Sequence, residues 1–278
     1  MSGPPVAGLL EGRLAVVTGG GGGIGRGVVR RLAAAGAELV VNDVDGDRLA
    51  DAVAEVEAAG GRALGVAGDI CAAETVERLA EAALGAREGR VDVLVNNVGD
   101  FRPNGMFLKS GPEAWEHLFA VNLGHVLAVT RALAPAMTAA GSGSIINVST
   151  VEAFRGIPAN AVYSAANAGI NGLTRSLAVE LGPKGVRVNA IAPDLADTLQ
   201  TPAELMLAGR DPAMVRHWVP LGRFGQPDDY GDVVLFFASD LSRFVTGTVL
   251  AVDGGTLAAG GWYTKASGRG WTNMPDSP

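Results

Sequence analysis

The residues Gly19-Gly20-Gly21-Gly22-Gly23-Ile24-Gly25 follow the apolar run Leu14–Thr18 and precede an amphipathic segment. Glycines in such a place permit a tight turn and let backbone N–H groups approach a pyrophosphate, and the next helix adds the positive end of its dipole. A glycine run alone could equally be a flexible turn. Its position between strand and helix, opening the first βαβ unit, gives it specificity. About 20 residues beyond the glycines the second apolar run ends at Asp43, where a carboxylate accepts hydrogen bonds from adenosine ribose hydroxyls and repels a 2′-phosphate. No arginine or lysine lies within the loop to offset that repulsion, so the spacing points to NAD in preference to NADP. A helix N-cap is the competing role for Asp43, and Asp45 fills it equally well.

The elements that must hold these groups alternate along the chain. Leu14–Thr18, Glu38–Asn42, Ala63–Ala67, Val91–Asn96, Ser144–Ser149, Val186–Ala192 and Thr248–Val252 read as buried strands. Between them Ile24–Ala35, Asp47–Ala59 and Thr75–Arg87 carry apolar residues at helical spacing. Continuous Val/Ile/Leu strands alternating with amphipathic helices predict an α/β fold, a doubly wound parallel sheet of seven strands covered on both faces, with right-handed crossovers. No linker or internal repeat interrupts the pattern, so residues 13–255 read as a single domain with a 1–12 extension and a 256–278 tail. Residues 196–220, with Pro202, Pro212 and Pro220, read as a helical insert that forms a lid over a substrate. The tail holds Trp262, Tyr263 and Trp271, large aromatics expected to dock against the body or a neighbouring subunit.

Composition narrows the function classes. The chain has 278 residues, 48% of them hydrophobic, and a formal net charge of −7. No basic stripe or aromatic-interleaved lysine run is present, so a nucleic-acid partner is not expected. No uninterrupted apolar run reaches the roughly 18 residues of a membrane span, so no membrane partner is expected either. A single cysteine, Cys71, cannot form an internal disulfide and suits a reducing compartment; together with an N-terminus lacking signal-peptide features it predicts a cytoplasmic location.

Further motifs, in order, carry a resemblance: Thr18-Gly-x-x-x-Gly-Ile-Gly25, Asp69-Ile70, Asn96-Asn97-Val98-Gly99, Val121-Asn122, Ile145 to Thr150, Tyr163, Arg187 to Pro193, Gly222 to Pro227 and Val252 to Gly255. Over residues 12–255 the chain resembles the classical short-chain dehydrogenase/reductase family, whose fold is a Rossmann-like sheet. The resemblance implies that Gly19, Gly23, Ile24, Gly25 and Asp43 hold the cofactor, with Asp69 and Ile70 at the adenine. Asn96 would stabilise the central strands beside the cofactor, which Val98 and Gly99 would also contact. Ile191, Pro193 and Thr198 would border the nicotinamide, with Thr198 reaching its carboxamide. Tyr163 would be the general acid/base, giving a proton to a carbonyl as hydride arrives and removing the alcohol proton in the reverse direction. A lone tyrosine on an apolar helix is usually packing; its offset from Thr150 argues otherwise.

Three departures from the family stand out. The hydroxyl that polarises substrate oxygen is normally serine, and the residue at that offset before Tyr163 is Thr150, which keeps the hydroxyl on a stiffer side chain. Ser149 precedes it and is expected on the opposite face of the strand. The family's Pro-Gly becomes Pro193-Asp194, placing a carboxyl at the pocket rim. Most consequentially, the family's Tyr-x-x-x-Lys becomes Tyr163-Ser164-Ala165-Ala166-Asn167, and the chain's only lysines, Lys109, Lys184 and Lys265, lie elsewhere. Asn167 can hydrogen-bond a ribose but brings no charge to lower the tyrosine pKa or continue the relay toward Asn122.

The reading is an NAD(H)-dependent oxidoreductase interconverting a secondary alcohol and a ketone, with Tyr163, Thr150, Asn122 and Asn167 as its catalytic set. Phe101, Phe154, Met206 and Trp218 are expected to wall a pocket for a small-to-medium apolar molecule, with Glu152 and Asp194 at the substrate. Glu152 is either an auxiliary base or a salt-bridged loop residue. The alternatives are a lyase or isomerase on this scaffold, or an NAD-binding pseudoenzyme. No metal is implied. Family likeness implies a homotetramer or homodimer through Pro112–Ala140 and Asn160–Leu181.

Overall fold

The structure, a computed structural model, describes residues 7–261, 263–265 and 271–272. Its core is seven parallel strands: β1 (Leu14–Thr18), β2 (Glu38–Asp43), β3 (Arg62–Ala67), β4 (Val93–Asn96), β5 (Gly143–Val148), β6 (Val186–Pro193) and β7 (Val249–Val252). They lie in the order β3-β2-β1-β4-β5-β6-β7. The predicted doubly wound sheet is therefore the observed one, with strand ends within two residues of those read from the sequence. Every residue of β1 and β4 is buried, as continuous Val/Leu runs covered on both faces require.

Helices α1 (Gly23–Ala34), α2 (Gly46–Ala58), α3 (Ala73–Ala86), α4 (Pro112–Ala140), α5 (Ala161–Leu181) and α6 (Pro227–Ala238) cover the two faces. Val28, Val29 and Leu32 of α1 and Val234 and Phe237 of α6 pack on one side with Val17 and Val41. On the other, Val129, Leu133 and Met137 of α4 meet Val16, Leu94 and Ile145. By length and apolar composition α4 is sufficient to cross a bilayer, and its buried face builds this core. The helix is not uniform, because Ala120–Gly124 forms a π-helical turn that presents Asn122 inward.

Because the sheet reverses its order between β1 and β4, the loops that leave those two strands diverge to opposite faces and open a crevice at their carboxyl ends. The registers Thr18↔Asn42, Asn96↔Asn147 and Val148↔Ile191 bring all these strand ends to one rim.

At the two ends of the chain the structure adjusts the predicted boundaries. Residues 1–6 of the predicted extension lie outside the described residues, but Leu10 is fully buried in the core and its N–H donates to Ala35 O at 2.8 Å. The insert 196–220 contains two short helices, Ala203–Leu207 and Val215–Trp218. In the tail Trp262 lies outside the described residues, while Tyr263–Thr264 pairs antiparallel with Trp271–Thr272 and lies against Val215–Trp218. Ending the chain at Gly260 is therefore expected to remove a buttress of the insert and raise KM several-fold with a smaller effect on kcat, read by steady-state kinetics; unaltered KM and oligomeric state would show the tail to be dispensable.

Candidate active site

A cleft of about 960 Å³ opens along the carboxyl ends of the strands. The glycine loop forms one end. Gly19 takes φ +65°, a region that costs a residue with a Cβ, and a Cβ on Gly25 would stand 2.0 Å from Gly19 O. Gly25 is thus a packing position, and Gly19, Gly23 and Ile24 line the cleft. Helix α1 begins after Gly22 with no side-chain cap and no acidic residue in its first turn, leaving free N–H groups for an anion. Asn97 ties the neighbouring strand to this loop, its Nδ2 donating to Thr18 O and Gly19 O at 3.1 Å. Val98 and Gly99 follow in the cleft wall.

At the tip of β2 the Asp43 carboxylate accepts from Gly21 N at 2.8 Å and Asp45 N at 3.0 Å. The capping role falls to Asp45, which accepts from Arg48 N at 3.0 Å. Asp43 therefore presents a negative charge, held in place by backbone, to the same end of the cleft as Asp69 and Ile70. Arg48 also lines this end, entering from α2 rather than from the loop, and is bound to Asp45 at 2.6 Å. Together, an uncapped helix end, a loop that admits no Cβ at Gly25 and a carboxylate fixed at the tip of β2 fit a dinucleotide.

Tyr163 sits in the first turn of α5 and reaches the cleft beside Thr150, Asn122 and Asn167. Phe101 packs edge-on against its ring, centroids 6.5 Å apart. Burial pushes the phenol up to about 12; a hydrogen bond from Thr150 pulls it partly back, and Glu152, Asp100 and Asp194 raise it further. Asn167 offers no counter-charge, for its Nδ2 donates to Tyr163 O at 3.0 Å, one turn back on its own helix. Asn122 Nδ2 donates to Asp100 O at 2.7 Å and Leu118 O at 2.8 Å, and its Oδ1 accepts from Asp100 N at 3.1 Å. That residue therefore clamps the loop after β4 as well as lining the cleft.

Asn96 does not line the cleft. It is buried and joins β4 to β5 and α4, donating to Asn147 Oδ1 at 2.9 Å and Thr130 Oγ1 at 3.1 Å. Asn147 continues to Thr174 of α5 at 3.0 Å, so a buried polar chain fixes the floor beneath the site, with the Asn96 Oδ1 left without a partner among the described residues. Ile191 is likewise buried in the core, whereas Pro193 and Thr198 line the cleft. Thr198 lies over Gly23, 3.4 Å from where a Cβ would stand, so the start of the insert folds down on the glycine loop.

The substrate wall differs from expectation. Phe154 is 43% exposed and lies outside the cleft, because the 3-10 turn Val151–Ala153 directs it outward. Trp218 is also outside; it packs in a separate cluster around Val215, Val219 and Phe224. Ser149 shares the cleft with Thr150 rather than facing away, because β5 ends at Val148 and strand alternation no longer applies. In place of the two aromatics stand charges. Arg155 bridges Glu152 at 2.9 Å and Asp194 at 2.8 Å, and Arg102 pairs with Asp100 at 2.7 Å. Asp194 also accepts from Thr256 at 2.5 Å. Sequence reasoning had passed over Asp100, Arg102 and Arg155; the i, i+3 spacing of Glu152 and Arg155 was the available signal.

Among known proteins, the sequence profile of a family described as Enoyl-(Acyl carrier protein) reductase matches residues 19–256. The 3-oxoacyl-[acyl-carrier-protein] reductase of Thermotoga maritima is 37% identical over 252 residues, covering 89% of this chain and 99% of its own. The cis-4-hydroxycyclohexanecarboxylate dehydrogenase of Sinomonas cyclohexanicum is 39% identical over 250 residues, covering 88% and 97%. A solved chain from Beutenbergia cavernae, described as a candidate NAD(P) dependent gluconate 5-dehydrogenase with bound NADP, superposes with a TM-score of 0.82 at 36% identity, covering 92% of this chain and 100% of that one.

Proposed function

The chain belongs to the classical short-chain dehydrogenase/reductase family, whose oxidoreductases use NAD(P)(H), and from that premise we propose that it interconverts a secondary alcohol and a ketone with NAD(H) as cofactor and Tyr163 as general acid/base. One observation carries the reading: the Tyr163 phenol and the Thr150 hydroxyl share a single cleft with the glycine loop and Asp43. When bound, the nicotinamide supplies or accepts the hydride. Thr150 hydrogen-bonds the substrate oxygen and Tyr163 gives it a proton. With its phenol held far above neutrality the tyrosine is protonated at pH 7, which suits reduction of the ketone. Asn122 and the Asn96–Asn147–Thr174 chain hold the elements that aim these groups.

A second reading, a lyase or isomerase on this scaffold or a cofactor-binding protein without turnover, draws on Asn167, which stands where the family's lysine would and spends its amide on the helix backbone. Following reduced-nicotinamide absorbance with a panel of ketones separates the two. Oxidation of NADH supports the first; tight NADH binding with no absorbance change against any ketone supports the second.

The preference for NAD(H) rests on the fixed charge of Asp43, with Arg48 occupied by Asp45. By fluorescence titration NADH is expected to bind at least about tenfold more tightly than NADPH, since a dianionic phosphate beside a carboxylate costs more than 1.4 kcal/mol at an effective dielectric near 20. Asp43→Ser should narrow that gap, and equal or tighter NADPH binding by the native protein would overturn the assignment. We further propose a cytoplasmic enzyme acting on a small molecule, assembled as a homodimer or homotetramer through α4 and α5, where Phe119, Leu127 and Val179 are exposed.

A further inference from the structure

Three loops that are distant in sequence converge beside Tyr163, and each brings charge. The turn after β5 supplies Glu152, the end of β6 supplies Asp194, and the segment after β4 supplies Asp100 and Arg102, while Arg155 lies outside the cleft lining and reaches Glu152 and Asp194 from there. The side chains of Glu152 and Asp194 are 12% and 9% exposed, so both carboxylates are largely removed from water. Arg155 lies between them and satisfies both, while Asp194 takes a further hydrogen bond from Thr256 and one from Leu195 N. In the same wall the amide oxygen of Asn160 is buried and has no partner among the described residues. Three carboxylates therefore face two guanidinium groups, each of which directs its Nε and Nη2 donors at those carboxylates. The wall is left with a surplus of negative charge and of hydrogen-bond acceptors.

We propose that this wall determines specificity, admitting a neutral, hydroxylated ketone or alcohol and rejecting an anionic one. A substrate hydroxyl donates to lone pairs that Arg155 leaves free on Glu152 and Asp194. A substrate carboxylate or phosphate meets two largely buried carboxylates that share the one cation Arg155, in a wall whose other guanidinium, Arg102, is paired with Asp100. Desolvation strengthens that penalty, because charges inside a cleft are screened less than charges on the surface. The proposal rests on the oxidoreductase reading and refines it by naming the substrate class.

Three ketones built on one ring test it: 4-hydroxycyclohexanone, 4-oxocyclohexanecarboxylate and the cationic 4-aminocyclohexanone, each reduced with NADH at pH 7. The hydroxy ketone is expected to exceed the carboxylate in kcat/KM by at least about tenfold, the size of one unit charge acting across such a cleft. Glu152→Gln removes a negative charge and should improve the carboxylate relative to the hydroxy ketone. Arg155→Gln removes the shared cation and should worsen it by a similar factor. Opposite shifts in two neighbouring variants, of which Glu152→Gln is isosteric, are not produced by general damage to the site. A native preference for the carboxylate, or shifts of the same sign in both variants, would overturn the proposal.

If no ketone is reduced although NADH binds, the oxidoreductase reading fails, and the wall is then tested by calorimetric titration of the same three compounds into the NAD-loaded protein. The same order of affinity, with opposite shifts in the two variants, supports the proposal. Absence of any order by charge in that titration overturns it.

Discussion

Replacing Tyr163 by phenylalanine should lower kcat for NADH-dependent ketone reduction by about 10²- to 10⁴-fold while leaving the NADH dissociation constant nearly unchanged, the usual size of a lost general acid. The substitution keeps the ring that packs edge-on against Phe101 and removes the oxygen alone, so the helix and the cleft wall are preserved. Steady-state rates, read beside a fluorescence titration of NADH, separate lost proton transfer from lost binding. A phenylalanine variant with the native rate would move the acid/base role elsewhere. Glu152, whose carboxylate lies in the same wall, is the first place to look.

Asn167→Lys should change the pH dependence more than any other single substitution. In the native protein the phenol is pushed up to about 12, so oxidation of an alcohol, which needs phenolate, keeps accelerating as pH rises through the neutral and alkaline range. Reduction needs the phenol itself, which persists below its pKa, and is therefore flat over the same range. A cation about 4 Å away at an effective dielectric near 20 contributes about 4 kcal/mol, a ceiling of about three pK units. It favours the charged phenolate, so the oxidative limb should move to lower pH and the reductive rate should begin to fall at lower pH. Asn167 is only 3% exposed, so the longer chain must find room. Thermal unfolding and NAD affinity establish that the variant is intact before its kinetics are compared. An intact, NAD-binding variant with an unchanged profile would mean that Tyr163 is not the group that titrates, and the non-redox reading would gain.

The sheet and its order of elements were legible in the sequence because each strand is a Val/Ile/Leu run buried on two faces, a pattern that composition and period impose directly. The glycine loop and Asp43 were legible for a related reason, since strand, turn and helix are contiguous there. Assigning the cap to Asp45 and leaving Asp43 free required the structure, because both residues are equally placed in the chain. The substrate wall was misread at Phe154 and Trp218. Phe154 follows a 3-10 turn and Trp218 ends a helix of only four residues, too short for a helical period to show in the sequence, so hydrophobicity alone suggested a pocket. The ion pair of Arg155 with Asp194 was hidden more deeply: its partners are 39 residues apart, and only the pairing of β5 with β6 brings their loops together.

The π-helical turn at Ala120–Gly124 makes the length of α4 part of the active site. A π turn holds one residue more than the α-helical path it replaces. Deleting any single residue there allows the ladder to close as ordinary α-helix, which keeps the register of the flanking turns but removes the bulge that turns Asn122 inward. Asn122 could then no longer grip both Asp100 and Leu118, while the stacking of Trp115 on Phe107, one turn earlier, would be kept. Ala120 and Gly124 of the turn are exposed, so exchange there is tolerated better than loss of a residue. Divergence in this segment should therefore proceed through substitution, with insertions and deletions confined to the loops on either side of the helix.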